Sequence, residues 1–137
     1  MQELFHNLPG VIYEYVIRKD GSRLFTYISE NSIDILGLRA DELRKDSSLF
    51  RQILLADDRA SFKDSLNASH EGRKTWNWEG RITVNGAIRW IETRSNPVVS
   101  SEDIKRKGII IDITERKQLE QEQVSQYQSM VENRVKE

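Results

Sequence analysis

The clearest pattern of apolar and polar positions lies between Trp76 and Ile113. Trp76, Trp78, Ile82 and Val84 alternate with polar residues, the period of a strand with one buried face. Asn85-Gly86 follows, a dipeptide that accepts two successive residues at positive φ and so closes a two-residue hairpin. Ala87 to Arg94 reads as the return strand, which Asn96-Pro97 is expected to end or bend. A polar tip, Ser100 to Lys107, then leads into Gly108 and the β-branched run Ile109 to Ile113. This predicts a three-stranded antiparallel meander running directly into a helix.

Upstream, Leu4 and Phe5 fit the last turn of a short helix over 1–7, which Leu8-Pro9-Gly10 breaks. Val11 to Ile17 is rich in aromatic and β-branched residues and reads as a strand. Both of its faces are fairly apolar, which predicts a sheet covered at least partly on both sides. Asp20-Gly21 marks a turn and Leu24 to Ile28 the return strand. Ser29 is the expected N-cap of a helix over Glu30 to Leu36, with Gly37 as its left-handed exit. Ala40 to Leu43 fits a single turn, and a loop through Asp46-Ser-Ser48 leads to Leu49–Leu55. Asp57 or Asp58 is expected to cap a helix reaching about Ser69, with Phe62 and Leu66 one turn apart on its inner face.

The order is two strands, three or four short helices, three strands and a terminal helix. Segregated strands and helices predict an α+β fold, a five-stranded antiparallel sheet with short helices on one side. From about Thr114 to Glu137 the composition turns to Gln, Glu and Lys without Gly or Pro, a strong helix former. Val124, Tyr127 and Val131 share one stripe with Met130 beside it, and Glu120 and Arg134 at the other seam positions suit an incomplete coiled coil. The helical pattern runs to the last residues, and the natural chain is expected to continue. The expected divisions are a helix remnant over 1–7, a domain over 8–114 and a signalling helix over 115–137.

At 137 residues there is room for one domain with a modest core. Basic and acidic residues nearly cancel, 21 against 22, so no bulk field calls for nucleic acid or an anionic membrane. No cysteine is present, which excludes disulfides and thiol nucleophiles. No apolar run approaches membrane-spanning length, and no direct membrane contact is expected. His6 and His70 read as solvated surface residues, and Lys105-Arg-Lys107 as a solvated turn. There is no phosphate loop, nucleophile elbow or metal-ligand spacing, so neither catalytic nor metal-binding residues are assigned and no enzymatic activity is expected.

Several segments carry a family resemblance. Arg89-Trp-Ile-Glu-Thr-Arg94, Pro97-Val98 and Gly108-Ile-Ile-Ile-Asp-Ile-Thr-Glu-Arg-Lys117 resemble the C-terminal half of a Per-Arnt-Sim (PAS) sensory domain. Asp112-Ile-Thr114 with Glu115-Arg-Lys117 matches the exit motif that joins such domains to their effectors. Tyr27-Ile-Ser-Glu-Asn31 with Ile35-Leu-Gly37 resembles the family's second strand and first helix. Leu54-Leu-Ala-Asp-Asp-Arg59 resembles its Asp-Asp-Arg segment, although Leu55-Ala56 stands where His-Pro is often seen. The resemblance spans roughly Leu8 to Lys117.

The resemblance implies a ligand held between the sheet and the short helices. Without cysteine, flavin photoadduct chemistry and a thioester-linked chromophore are excluded. Haem is disfavoured because His70, the one plausible axial ligand, lies late in its helix. A non-covalent flavin or a small organic ligand stays open, with Trp76, Trp78 or Trp90 able to stack on a ring, though core packing is the simpler role for these tryptophans. Phe25, Tyr27, Leu36, Ile53, Phe62, Leu66 and Trp90 are the candidate pocket residues. Asp112, Thr114 and Arg116 are the candidate relay, fixing the angle of the exit helix. The resemblance further implies a cytoplasmic homodimer that passes its state to an effector in the same polypeptide, such as a histidine kinase, a cyclic-dinucleotide enzyme or a transcription regulator. The alternative is a ligand-free structural dimerisation module.

Overall fold

The chain runs β1 (Gly10–Ile17), β2 (Arg23–Ile28), α1 (Ser32–Leu36), α2 (Ala40–Lys45), α3 (Ser48–Ile53), α4 (Ala56–Gly72), β3 (Trp76–Val84), β4 (Ala87–Val98), β5 (Ile104–Asp112) and α5 (Thr114–Lys136) in the computed structural model. Residues 10–72, 74–98 and 102–136 are described, so the turn expected over 1–7 lies outside them. The five strands form one antiparallel sheet in the order β2-β1-β5-β4-β3, the α+β architecture expected.

Local chemistry explains most elements. Trp76, Trp78, Ile82 and Val84 are buried, while Asn77, Glu79 and Thr83 between them are exposed. Asn85 and Gly86 take φ of 51° and 82°, the left-handed pair that a tight hairpin needs. Gly37 closes α1 at φ 73°, its N–H donating to the Ile33 carbonyl. The inner sheet face and α1–α4 enclose one core in which Ile82, Ile91, Leu43 and Val11 are fully buried. Each such side chain contributes about 1.5–3 kcal/mol.

Several boundaries differ from expectation. Ser29 does not cap α1, which starts at Ser32. The Ser29 hydroxyl instead accepts from the Ile12 N–H at 2.9 Å, and Asn31 Nδ2 donates to the Gly10 carbonyl, fastening the turn to β1. Asp58 caps nothing. Its carboxylate reaches across to β3 and accepts from Arg81 Nε at 3.0 Å, Nη2 at 2.8 Å and the Arg81 backbone N–H at 2.8 Å. These bonds hold the Asp58 carboxyl below its ordinary pKa. Asn96-Pro97 does not end β4, which continues to Val98. Trp76 pairs with Ser95 at the end of β3, so beyond that point β4 has β5 beside it on one side, and such an edge tolerates proline. The polar tip is strand from Ile104 onward, because Lys105-Arg106-Lys107 pairs with β1 and β4.

An inner cavity and an exit junction

A cavity inside the core and the junction where β5 becomes α5 both gather polar groups. The cavity measures about 40 Å3. Aromatic and aliphatic side chains from β1, β2, α3, α4 and β3 form most of its wall, and Thr93, Ser95 and Arg106 supply polar groups from β4 and β5. Arg106 is 2% exposed. The period of β5 turns it inward while Lys107 faces solvent.

A buried guanidinium must spend its donors on the protein. Arg106 Nη2 donates to the Lys74 carbonyl at 2.9 Å and Nη1 to Ser95 Oγ at 3.3 Å. Its Nε donates to His70 Nδ1 at 3.1 Å. His70 is therefore neutral with its proton on Nε2, which is buried without a hydrogen-bond partner among the described residues. Burial first, and the charges of Arg106 and Arg23 after it, press the His70 pKa down to about 4. His70 is thus no solvated surface residue. The tail of α4 brings it against β5, a contact that a polar helix end in sequence does not announce. Tyr13 completes the network, its hydroxyl 2.9 Å from Thr93 Oγ1, and burial raises its pKa.

The candidate pocket residues part company. Phe25, Phe62 and Leu66 line the cavity. Leu36 is buried in the core and Ile53 packs against it, but neither lines the cavity. Tyr27 is 53% exposed. The register shifts between Glu14 and Tyr15, inserting Thr26 as an extra residue on β2, so Phe25 and Ile28 both face in and Tyr27 faces out. Trp90 lies on the opposite sheet face from inward Ile91 and Thr93, its ring 5.5 Å from the Arg81 guanidinium and 5.0 Å from Lys117 Nζ. Trp76 and Trp78 are core residues, edge-on to Phe62 at 5.3 and 5.0 Å. A volume of about 40 Å3 holds about three or four waters at about 10–15 Å3 each, whereas small-molecule sites start near 300 Å3. A flavin ring does not fit between these side chains.

At the junction, Asp112 Oδ1 accepts from the Thr114 backbone N–H at 2.9 Å and from the Thr114 hydroxyl at 2.6 Å. Thr114 Oγ1 in turn accepts from the Trp90 N–H at 3.0 Å, and the Ile113 N–H donates to the Trp90 carbonyl at 2.9 Å. Together these bonds tie the start of α5 to the middle of β4. Among the described residues, Arg116 makes no side-chain hydrogen bond or ion pair with Asp112 or Thr114. It ion-pairs with Glu79 on β3, while its Nη2 lies 3.9 Å from Glu92 on β4. Lys117 joins the same cluster at 2.8 Å from Glu79, and the Lys117 hydrogen bond lowers the Glu79 pKa. Glu79, Glu92 and Lys117 were not among the candidate relay residues. The outward phase of Glu79 on an alternating strand was the available signal. Beyond this clamp the side chains from Gln118 to Arg134 lie in solvent, with Tyr127 69% and Val124 56% exposed.

The profile of the PAS fold matches residues 25–110. No curated protein matches the chain. Among solved structures, a sensory box histidine kinase/response regulator from Burkholderia thailandensis superposes with a TM-score of 0.71 at 23% identity, over 96% of this chain and 97% of that one. A domain of a putative light and redox sensing histidine kinase from Haloarcula marismortui gives 0.66 at 23% identity, over 82% and 97%. The N-terminal domain of a diguanylate cyclase with PAS/PAC sensor from Marinobacter aquaeolei gives 0.66 at 15% identity, over 78% and 97%. With the profile covering more than half of its length and the sheet and helices in matching order, this chain belongs to the PAS-fold family.

Proposed function

We propose that the chain is the sensory input module of a cytoplasmic signalling protein, with 8–114 as the sensing body and 115–137 as the helix that relays its state. The observation that carries this reading is the contrast along α5. Its first turn is held to β3 and β4 by Asp112, Thr114, Arg116 and Lys117, while Leu119, Val124, Tyr127, Met130 and Val131 face solvent. A helix gripped at one end and bare along the rest transmits a change in its exit angle to whatever it joins. An effector further along the same polypeptide is the recipient, and a second copy of α5 covers the apolar stripe. The solved relatives come from histidine kinases and a diguanylate cyclase, which supports an effector of that class.

The test is effector output of the full-length protein carrying Asp112→Ala. Losing the hydrogen bonds to Thr114 is expected to loosen the junction and to reduce the signal-dependent difference in output, with the fold intact by circular dichroism. Unchanged output would sink the relay role. The small inner cavity favours a second reading, a ligand-free dimerisation module. Native mass spectrometry with an absorption spectrum separates the two: a retained small molecule supports sensing, and a bare dimer supports scaffolding.

A further inference from the structure

Outside the inner cavity lies a second concavity, a groove of about 350 Å3 between the start of β2, α3 and α4. Its lining includes four cations and no acid: Arg23, Arg51, Arg59 and Lys63, over a floor that includes Leu54, Phe62 and Leu66. A recess of about 240 Å3 shares Arg51 and Arg59 with it and adds Ser48 and Gln52. The whole chain carries a net charge of −1, so this concentration of positive charge is local.

Several cations elsewhere are paired with carboxylates: Arg81 with Asp58, Arg94 with Glu92 and Lys117 with Glu79. Among the described residues, no carboxylate lies within ion-pair distance of the four groove cations. Arg59 is nonetheless held in place, its Nε donating to the Leu54 carbonyl at 3.2 Å and Nη2 to the Gln52 carbonyl at 3.4 Å. A guanidinium has five N–H donors, so Arg59 keeps others to offer, in an orientation fixed beforehand. Four like charges in one concavity repel one another, and an anion seated among them relieves that repulsion while the concave wall focuses the field. Volume, charge and an apolar floor together match a small ligand site.

We infer that this groove binds a small organic anion carrying two or more negative charges and an apolar portion. Arg51, Arg59, Lys63 and Arg23 take the charges, and Leu54, Phe62 and Leu66 take the apolar part. Phe62 and Leu66 line both this groove and the inner cavity, so a ligand seated here presses on side chains that also face the sheet. Binding at the groove does not depend on whether α5 relays a signal.

The experiment is a titration of the chain with phthalate, benzoate and inorganic phosphate, followed by backbone amide NMR shifts at low and at physiological ionic strength. Phthalate is expected to saturate shifts in α3, α4 and the start of β2 at both salt levels. It should bind more tightly than benzoate, which has one charge, and phosphate, which has no apolar part. Arg51→Ala with Lys63→Ala should weaken phthalate about tenfold or more, the loss of roughly one charged hydrogen bond. If that double variant misfolds, Lys63→Gln alone, at an exposed helix position, should weaken it about threefold, a smaller loss because the amide still donates a hydrogen bond but carries no charge. Unsaturable shifts common to all three anions, or shifts that vanish at physiological salt, would overturn the site as a diffuse ion atmosphere. So would unchanged affinity in the variants, or saturable shifts centred elsewhere. A glutamate-rich peptide outcompeting phthalate would overturn the small-molecule assignment in favour of an acidic protein segment.

Discussion

At the scale of single residues, Arg106 and His70 are the least ordinary pair in the molecule. A buried cation commonly meets a carboxylate, and here it meets a neutral imidazole, a serine and a backbone carbonyl. The arrangement works only while His70 stays uncharged, since an imidazolium would face the guanidinium at hydrogen-bond distance. The His70 pKa is about 4 in the folded chain and about 6.5 once unfolded. Between those values the unfolded state takes up a proton that the folded state refuses, so stability falls as pH drops from about 6.5 to about 4 and then levels off. After allowance for the side chain's partial exposure, this loss is on the order of 2 kcal/mol. Denaturant melts at several pH values, compared with His70→Gln, isolate it: the variant keeps an acceptor for Arg106 and should lack this fall. Parallel pH curves for the two proteins would contradict the assignment.

Between elements, α4 and β3 are matched through polar atoms that a hydrophobic pattern cannot show. Trp76 Nε1 donates to Ser65 Oγ at 2.9 Å, and Trp78 Nε1 to Ser61 Oγ at 3.1 Å. Two serines one helical turn apart thus meet two tryptophans two residues apart on a strand, with Phe62 between the rings. Ser65→Ala leaves the Trp76 N–H buried without its acceptor and should cost about 1–3 kcal/mol. Urea denaturation followed by tryptophan fluorescence reads this as a lower midpoint with an unchanged slope. The same contrast marks what could be read from sequence. Alternation at Trp76–Val84 and the Asn85-Gly86 turn are local signals, and the structure follows them. Arg106 was hidden because three consecutive basic residues look solvated, although on a strand the middle one points away from its neighbours. Tyr27 depended on a register shift set by the partner strand, and Trp90 on which sheet face α5 takes. Both are tertiary choices that period alone leaves open.

For the whole molecule, the proposed pairing of two copies through α5 is open to direct test. Its 23 residues extend about 35 Å at about 1.5 Å per residue, and those from Gln118 to Arg134 are exposed. Leu119, Val124, Tyr127, Met130 and Val131 are all at least 42% exposed. A lone helix of this composition is marginal in water, and its stability has to come from packing of its apolar stripe. A partner helix supplies that packing if Val124, Tyr127 and Val131 meet their own copies across a short coiled coil. The expected result is a concentration-dependent dimer in sedimentation equilibrium, with helix content by circular dichroism rising as the dimer forms. Tyr127→Glu with Val131→Glu should shift the association constant by at least about tenfold toward monomer, since two buried apolar contacts of about 1.5–3 kcal/mol are lost per copy. It should leave unchanged the tryptophan fluorescence of the core, where Trp76 and Trp78 lie far along the chain from the substitutions. An undiminished dimer would instead favour a contact on the outer sheet face, where Ile12 and Ile88 are exposed. That would separate pairing from the relay helix, and with it the coupling of exit angle to the partner copy.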